Sequence, residues 1–329
     1  MIKKLLLFVC LFFFSCNTSE NDVTEKKIRS IKTTMFDVEE KFGEPVFIFD
    51  YSQTDIFDKN GNLTEISYYD SLGVSTSRFN QVHKEKYSYN ENNKPIRHST
   101  FDINGDYVSA WGSWVTTITN YDSLGNKVTM TGYDKWGNID FIMKTRTDIN
   151  NVEEVILYDK DNNIKYEYYK KYDSNGNMIE ETEYGSNKKR SNKKVQKYIY
   201  NSDNKPTKIT TDCNYDCSEL EFWSKSWNLY YNEEGNLIEE TFEYPENEKY
   251  EKFKVKKIYK YDDKNRIIEV LNFDKNNEPT MSLYIPSKEV SKYLDDNNYE
   301  ILKYTTSEEF GEKKYELWRK EVIEQEFYD

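Results

Sequence analysis

The chain is poor in the groups that most often carry enzymatic chemistry. It has two histidines, His83 and His98, in 329 residues. No nucleophile elbow or comparable motif accompanies them, so a nucleophile–His–acid arrangement has only the residue types in its favour. Aliphatic side chains are scarce as well. Hydrophobic residues make up 36%, with 29 Tyr and 18 Phe among the aromatics, where ordinary globular chains run nearer ~45–50%. A thin core follows, one or two sheet layers deep, under much solvated surface. Basic excess is missing too. The formal charge is −13, and removing residues 1–15, which hold Lys3 and Lys4 and no acid, takes it to −15. Such a surface repels phosphate backbones, which argues against a nucleic-acid partner. The apolar run of residues 5–14 is too short for a permanent membrane span.

What the chain has in plenty is one turn signature. An aromatic residue is followed by Asp or Asn, and three residues later by Gly or Asn. The clearest copies are Phe57-Asp58-Lys59-Asn60-Gly61-Asn62, Tyr121-Asp122-Ser123-Leu124-Gly125-Asn126 and Tyr172-Asp173-Ser174-Asn175-Gly176-Asn177. The last position is Gly at 61, 73, 105, 125, 137, 176 and 235, and Asn at 93, 151, 162, 204, 265 and 277. Gly reaches positive φ freely and Asn is the next most tolerant, so this position is expected to be left-handed. The Asp or Asn supplies a short acceptor for backbone N–H groups further on. Together they predict a type I turn closed by a left-handed residue, a common hairpin connection.

Paired turns define eight units starting near 57, 89, 121, 147, 172, 200, 231 and 261. Between turns the residues alternate with period two, as strands do. Residues 28–50 read as a degenerate leading unit. Ser287 is placed to cap a short helix reaching Leu294, with two further strands after it. The fold class expected is therefore all-β: an elongated, twisted antiparallel sheet of repeated hairpins, with terminal caps hiding its edges. The organisation expected is a signal peptide at 1–15, a tether at 16–27, the repeat sheet at 28–286 and a C-terminal cap at 287–329.

Two resemblances add to this reading. Lys3, Lys4 and apolar residues 5–14 form a secretion signal, and Ser15-Cys16 resembles the lipobox of bacterial lipoproteins. That implies cleavage before Cys16, acylation of Cys16 and attachment to the envelope, most simply the outer membrane; a plain signal peptide is the alternative. The turn phrases, with Tyr231-Asn232-Glu233-Glu234-Gly235-Asn236-Leu237-Ile238 among them, resemble the tyrosine-aspartate (YD) repeat of the RHS family over roughly residues 57–280. Large members of that family close their sheet into a shell around a toxin domain. This chain is short and carries no such toxin, so the resemblance implies strand–turn geometry and partner contact at a bacterial surface, not encapsulation.

Candidate chemistry is sparse. Neighbouring acids such as Glu180-Glu181 and Glu239-Glu240 point to opposite faces of a strand and do not converge. Asp58 to Asn62 faintly resembles a calcium loop, but its Gly stands fourth from the Asp, where an EF-hand needs it sixth. No metal or cofactor is expected. Cys213 and Cys217 would lie about 13 Å apart on an extended strand, too far to bridge. A disulfide therefore requires a local turn between them, with free thiols as the alternative. Trp111, Trp114, Trp223 and Trp227 are the candidate binding residues, since Trp offers apolar area with a polar tip. The function expected is a non-catalytic envelope lipoprotein presenting a sheet to a protein or glycan. The alternatives are an envelope hydrolase using carboxylates on a concave face, and an accessory or neutralising factor of a larger RHS-type toxin.

Overall fold

The structure, a computed structural model, describes residues 27–77, 81–109, 113–147, 151–184, 193–213, 226–243, 256–274, 276–279, 286–295, 297–309 and 312–328. The signal peptide and tether expected at 1–27 lie outside them, apart from Lys27. The first strands are β1 (Ile28–Lys41), β2 (Glu44–Phe57), β3 (Leu63–Tyr69), β4 (Lys84–Tyr89) and β5 (Pro95–Phe101). β6 (Thr116–Tyr121), β7 (Lys127–Tyr133), β8 (Ile139–Thr147), β9 (Val152–Asp159) and β10 (Ile164–Tyr172) follow. Then come β11 (Met178–Tyr184), β12 (Lys193–Tyr200), β13 (Pro206–Cys213), β14 (Ser226–Tyr231) and β15 (Leu237–Glu243). The last are β16 (Lys256–Tyr261), β17 (Ile267–Phe273), β18 (Lys288–Tyr293), β19 (Tyr299–Glu309) and β20 (Glu312–Phe327). Consecutive strands pair antiparallel, and β20 pairs with β1 from Ile28↔Phe327 to Asp37↔Arg319. The 20 strands form one closed barrel.

This corrects the open, capped sheet expected from the sequence. Residues 28–41 and 312–327 do not cover an edge; they are the two strands that meet. The helix expected from Ser287 to Leu294 is strand β18, and the described residues hold no α-helix. A repeat specifies which strand follows which. It does not specify whether the last strand reaches the first, and closure removes the edges that caps were invoked to hide.

The turns have one geometry. Every final signature position has positive φ, from +57° at Asn93 and Asn151 to +87° at Gly105. After β2, Asp58 N–H donates to Asn62 O (2.9 Å) and Gly61 N–H to Asp58 O (3.0 Å). Asp58 Oδ1 accepts from Asn60 N–H (2.8 Å) and Asn62 N–H (2.9 Å). The same bonds recur at Asp122 with Gly125 and at Asp173 with Gly176. The signatures at 69, 101 and 273 close only single bridges, Tyr69↔Ser75, Phe101↔Tyr107 and Phe273↔Pro279, before a longer connection. The barrel thus has two unlike ends. Tight turns follow β2, β4, β6, β10, β12, β14, β16 and β18 at the turn end, where β1 begins. The longer connections gather at the opposite, loop end.

Pairing alternates in extent. Within a hairpin, β4 and β5 match from Lys84↔Phe101 to Tyr89↔Pro95; between hairpins, β3 and β4 match only at Glu65↔Lys86, Ile66↔Glu85 and Ser67↔Lys84. At most of the turns the opening tyrosine spans the gap this leaves. Tyr89 O–H donates to Leu63 O (2.7 Å), Tyr121 to Pro95 O (2.8 Å), Tyr200 to Met178 O (2.8 Å), Tyr231 to Pro206 O (2.9 Å) and Tyr261 to Leu237 O (2.7 Å). Tyr328 does the same to Phe57 O (2.5 Å) across the β20–β1 seam. Neighbouring turns are also tied, by a bond that depends on the left-handed residue. Asn93 and Asn204 accept through Oδ1 from Asn62 and Asn177 (both 3.0 Å), whereas Gly125 and Gly235 accept through the backbone carbonyl from Lys94 and Lys205.

Register divides the wall into two faces. One carries Tyr51, Tyr68, Val155, Leu229, Val270 and Ile323, all buried. The other carries cross-strand ion pairs: Lys84–Glu65 (3.0 Å), Arg146–Glu154 (2.8 Å), Lys256–Glu239 (3.4 Å) and Lys288–Glu269 (2.8 Å). Side chains crowd on the concave side of a closed sheet, so the buried face is the inner wall.

Two outcomes follow from the turns. An added Cβ at Gly61 would meet nothing within 4 Å, so substitution there reads the cost of positive φ alone. Gly61→Val should lose about 1–3 kcal/mol in urea unfolding and Gly61→Asn well under half of that; equal losses would contradict the turn assignment. The turn aspartates also make stability acid-sensitive. The backbone N–H groups of Asn126, Asn163 and Asn177 hold the carboxyls of Asp122, Asp159 and Asp173 below their ordinary value of 3.8. A depressed folded pKa contributes stability that is complete above the unfolded value and is lost as pH falls through the folded one. The urea midpoint should therefore drop below about pH 4, and by less in Asp122→Asn, which keeps the acceptor without its charge.

Candidate functional site

Of the residues singled out from the sequence, Cys16, Trp111, Cys217 and Trp223 lie outside the described residues. Cys213 ends β13. Trp114 precedes β6 and Trp227 lies in β14, at the loop end of the barrel but eight strands apart by number, so the structure does not bring them together. Each is half-buried in the wall. The Trp114 ring meets His98 (5.9 Å) and Phe141 (6.2 Å) edge-on. Phe141 reaches across because its register partner is Gly132, where any Cβ would collide with the Phe141 ring. Trp227 stacks on Phe242 (5.6 Å), and its Nε1–H donates to Glu240 Oε2 (3.0 Å).

The freely exposed aromatics are others, and the sequence reading missed them. Trp136 is 75% exposed in the turn between β7 and β8, with the Lys135 ammonium 4.6 Å from its ring. Phe42 is fully exposed at the β1–β2 tip, with φ +57°. Both belong to the loop end. Trp136 was findable, since it sits inside a turn signature, where a side chain cannot be buried in a strand pair. Phe42 had no comparable signal.

The inner wall holds acids in aromatic surroundings. Glu85 lies on β4, and its Oε2 accepts from Tyr87 O–H (3.0 Å) and His98 Nε2–H (2.9 Å), with the His98 ring stacked on Tyr87 at 4.5 Å. Burial pushes the Glu85 carboxyl up, but the hydrogen bond and field of His98, with the Tyr87 and Tyr68 hydroxyls, outweigh it and hold it below the usual carboxylate range. Asp55 lies two strands away at the same level, through Asp55↔Ile66 and Ile66↔Glu85. Burial raises its pKa; the Gln53 amide, donating at 2.8 Å, opposes this, and the charge of Glu85 adds to it. Glu240 is 6% exposed and accepts from Trp227 through Oε2 and from the Tyr259 hydroxyl through Oε1. Burial and the Glu240 charge drive the Tyr259 hydroxyl up.

These residues hold equivalent places in the repeat. His98, Glu181 and Glu240 each stand nine residues after the aromatic that opens a turn. They face Tyr87, Lys170 and Leu229 across the hairpin. Their neighbours Glu180 and Glu239 fall on the other face, paired with Lys197 and Tyr230. Among the described residues no group of His, Cys, Asp and Glu is placed to hold a metal ion.

No protein-family model matches the chain, and no curated protein matches it in sequence. Among solved structures it is similar to a porin-like protein from Bacteroides uniformis, at 10% identity and TM-score 0.34, over 91% of this chain and 98% of that one. It is also similar to a chain of the Photorhabdus luminescens Tc holotoxin pore, at 14% identity and TM-score 0.22, over 82% of this chain and 16% of that one. A crystal structure of TcdB2-TccC3 gives 12% identity and TM-score 0.15, over 88% of this chain and 21% of that one. Likenesses of this strength say nothing of what the chain does.

The Glu240 cluster makes a testable claim about the wall. Glu240→Leu strands two buried donors and should cost about 2–4 kcal/mol in urea unfolding. Adding Trp227→Phe and Tyr259→Phe removes those donors and should restore a large part of the loss. A triple variant as unstable as the sum of its parts would mean that the cluster is not a unit.

Proposed function

We propose that this chain is a non-catalytic envelope lipoprotein whose barrel stands in water, held by acylated Cys16, and offers its loop end to a protein or glycan partner. One observation carries the reading: neither face of the wall is apolar. A membrane-spanning barrel needs an outward apolar band about 25 Å tall. Here the outer face is crossed by Lys–Glu and Arg–Glu pairs from β3 to β18, and the inner wall carries Asp55, Glu85, Lys170, Glu181 and Glu240. Attachment then falls to the residues before β1. They enter at the turn end, and residues 16–27 extend to at most about 40 Å. The loop end, with Trp136 and Phe42, faces away from such an anchor.

The state of the acids supports binding over turnover. Glu85 and Glu240 accept hydrogen bonds from wall side chains, so they hold the wall in shape. The turn frame supports the YD-repeat reading, with its association with partner contact at bacterial surfaces.

Cell fractionation tests the anchoring. Wild-type protein should sediment with membranes and need detergent for release, while Cys16→Ser protein should be soluble without it. A Cys16→Ser protein that still needed detergent would mean that the barrel itself sits in lipid.

A further inference from the structure

We propose that a cavity on the outer wall near the loop end, between β4 and the turn after β5, binds a small sugar acid. This open cleft offers about 350 Å³, within the range that takes a single ring-sized ligand. Its chemistry comes from six residues: His83, Lys84, Lys86, Phe101, Asp102 and Asn104. In a chain of net charge −13 it gathers two lysines, set against Asp102 and Glu65. Lys84 is paired with Glu65 at 3.0 Å; Lys86 stands opposite the same Glu65 in register, without a close ion pair of its own among the described residues, and lies 6.0 Å from the Phe101 ring. His83 is buried, and its Nδ1 lies 2.9 Å from Thr76 O. A carbonyl only accepts, so Nδ1–H donates to it.

The turn at the cavity, like those of Asp70 and Asp274, lacks one bond that several other turns make. Asp102 Oδ1 accepts from Asn104 N–H (2.8 Å) and Asp106 N–H (2.9 Å), as in the turns of Asp58, Asp122 and Asp173. In the turns of Asp58, Asp122, Asp134 and Asp173 the following Asn also donates its Nδ2 to the aspartate Oδ2. Here that residue is Asp106, which has no donor to give, and Oδ2 is left for another hydroxyl. The repeat makes the point stronger. The places of His83, Lys84 and Lys86 are held by Tyr51, Ser52 and Thr54 in the preceding unit and by Val115, Thr116 and Ile118 in the following one. The unit folds with apolar or neutral residues there, so folding does not require the histidine and lysines. An ammonium for a carboxylate, the face of Phe101 that is not stacked on Tyr107 (5.0 Å) for the C–H face of a pyranose, and acceptors for its hydroxyls together describe a sugar acid.

Calorimetric titration of the mature protein with glucuronate, with glucose and inorganic sulfate in parallel, tests this. Glucuronate should saturate with a Kd of about 1 mM, with glucose and sulfate at least about tenfold weaker. Lys86→Gln should lower glucuronate affinity about tenfold with unfolding unchanged, while Lys208→Gln, elsewhere on the outer wall, should leave it as it was. Absence of saturable glucuronate binding overturns the proposal. So does equal binding of glucose, which removes the role of the lysine, or of sulfate, which leaves an anion site without sugar recognition. The outcome is independent of the anchoring experiment.

Discussion

A hairpin that pairs well with itself and poorly with its neighbour is the constraint on which this barrel depends. Between β3 and β4, between β5 and β6 and between β15 and β16 the register runs for only three matched pairs. The strands diverge toward the turn end and would leave carbonyls of the preceding hairpin without a donor. A buried or half-buried carbonyl without a partner is costly, about 1–3 kcal/mol. The tyrosine hydroxyl supplies the missing donor from Tyr89 to Tyr261. A phenylalanine could fill the same space and could not make the bond. That accounts for tyrosine as the commonest residue at the opening of the turn, in a chain holding 29 of them.

Closure follows from the same economy. A serial array of such hairpins gains stability from each neighbour contact and ends in two unsatisfied edges. The strands at the seam are the longest in the chain: β1 and β2 have 14 residues each and β20 has 16. β1 makes its longest register with β2, and β20 reaches back to both β19 and β1. The parts of the chain that break the repeat are therefore the parts that finish the ring. Twenty strands about 4.8 Å apart make a perimeter of roughly 95 Å, more than wall side chains alone can fill. The buried polar residues Thr100, Thr117, Glu240 and Asn272 fit such a wall, which is held by hydrogen bonds between neighbours more than by a dry centre.

Legibility in the sequence divided along this line. The turns could be read, because positive φ restricts residue choice to Gly and Asn and a capping acceptor restricts it to Asp and Asn. The opposite facing of Glu180 and Glu181 could be read too, since strand parity is a local rule. Closure could not, because it joins Ile28 to Phe327 and leaves no periodic mark on either. Pro286-Ser287 looks like a helix start, yet pairing with β17 and β19 makes 288–293 a strand. Tryptophan was chosen by residue type, which does not say whether a ring is free; Trp114 and Trp227 are used in the wall, and Trp136 is not. The Asp55–Glu85 level was hidden for a similar reason, as register between β2 and β4 is needed to see it.

A repeat also changes how function should be sought. In an ordinary domain an unusual residue has no local standard to be compared with. Here every position has several equivalents inside the same chain, and those equivalents state what folding requires at that place. Glycine or asparagine is required at the left-handed position, because nothing else occurs there. Nothing in particular is required nine residues after the turn aromatic, where His98, Met130, Glu181, Ile209, Glu240 and Val270 all occur. Residues at the second kind of position are free to be spent on chemistry, and their charge on a wall facing water is a choice that the fold did not impose. The turn end shows little of this freedom, since its atoms are taken by capping and by turn-to-turn bonds. Variation is concentrated toward the loop end and in the middle of the strands, so recognition by this barrel belongs there.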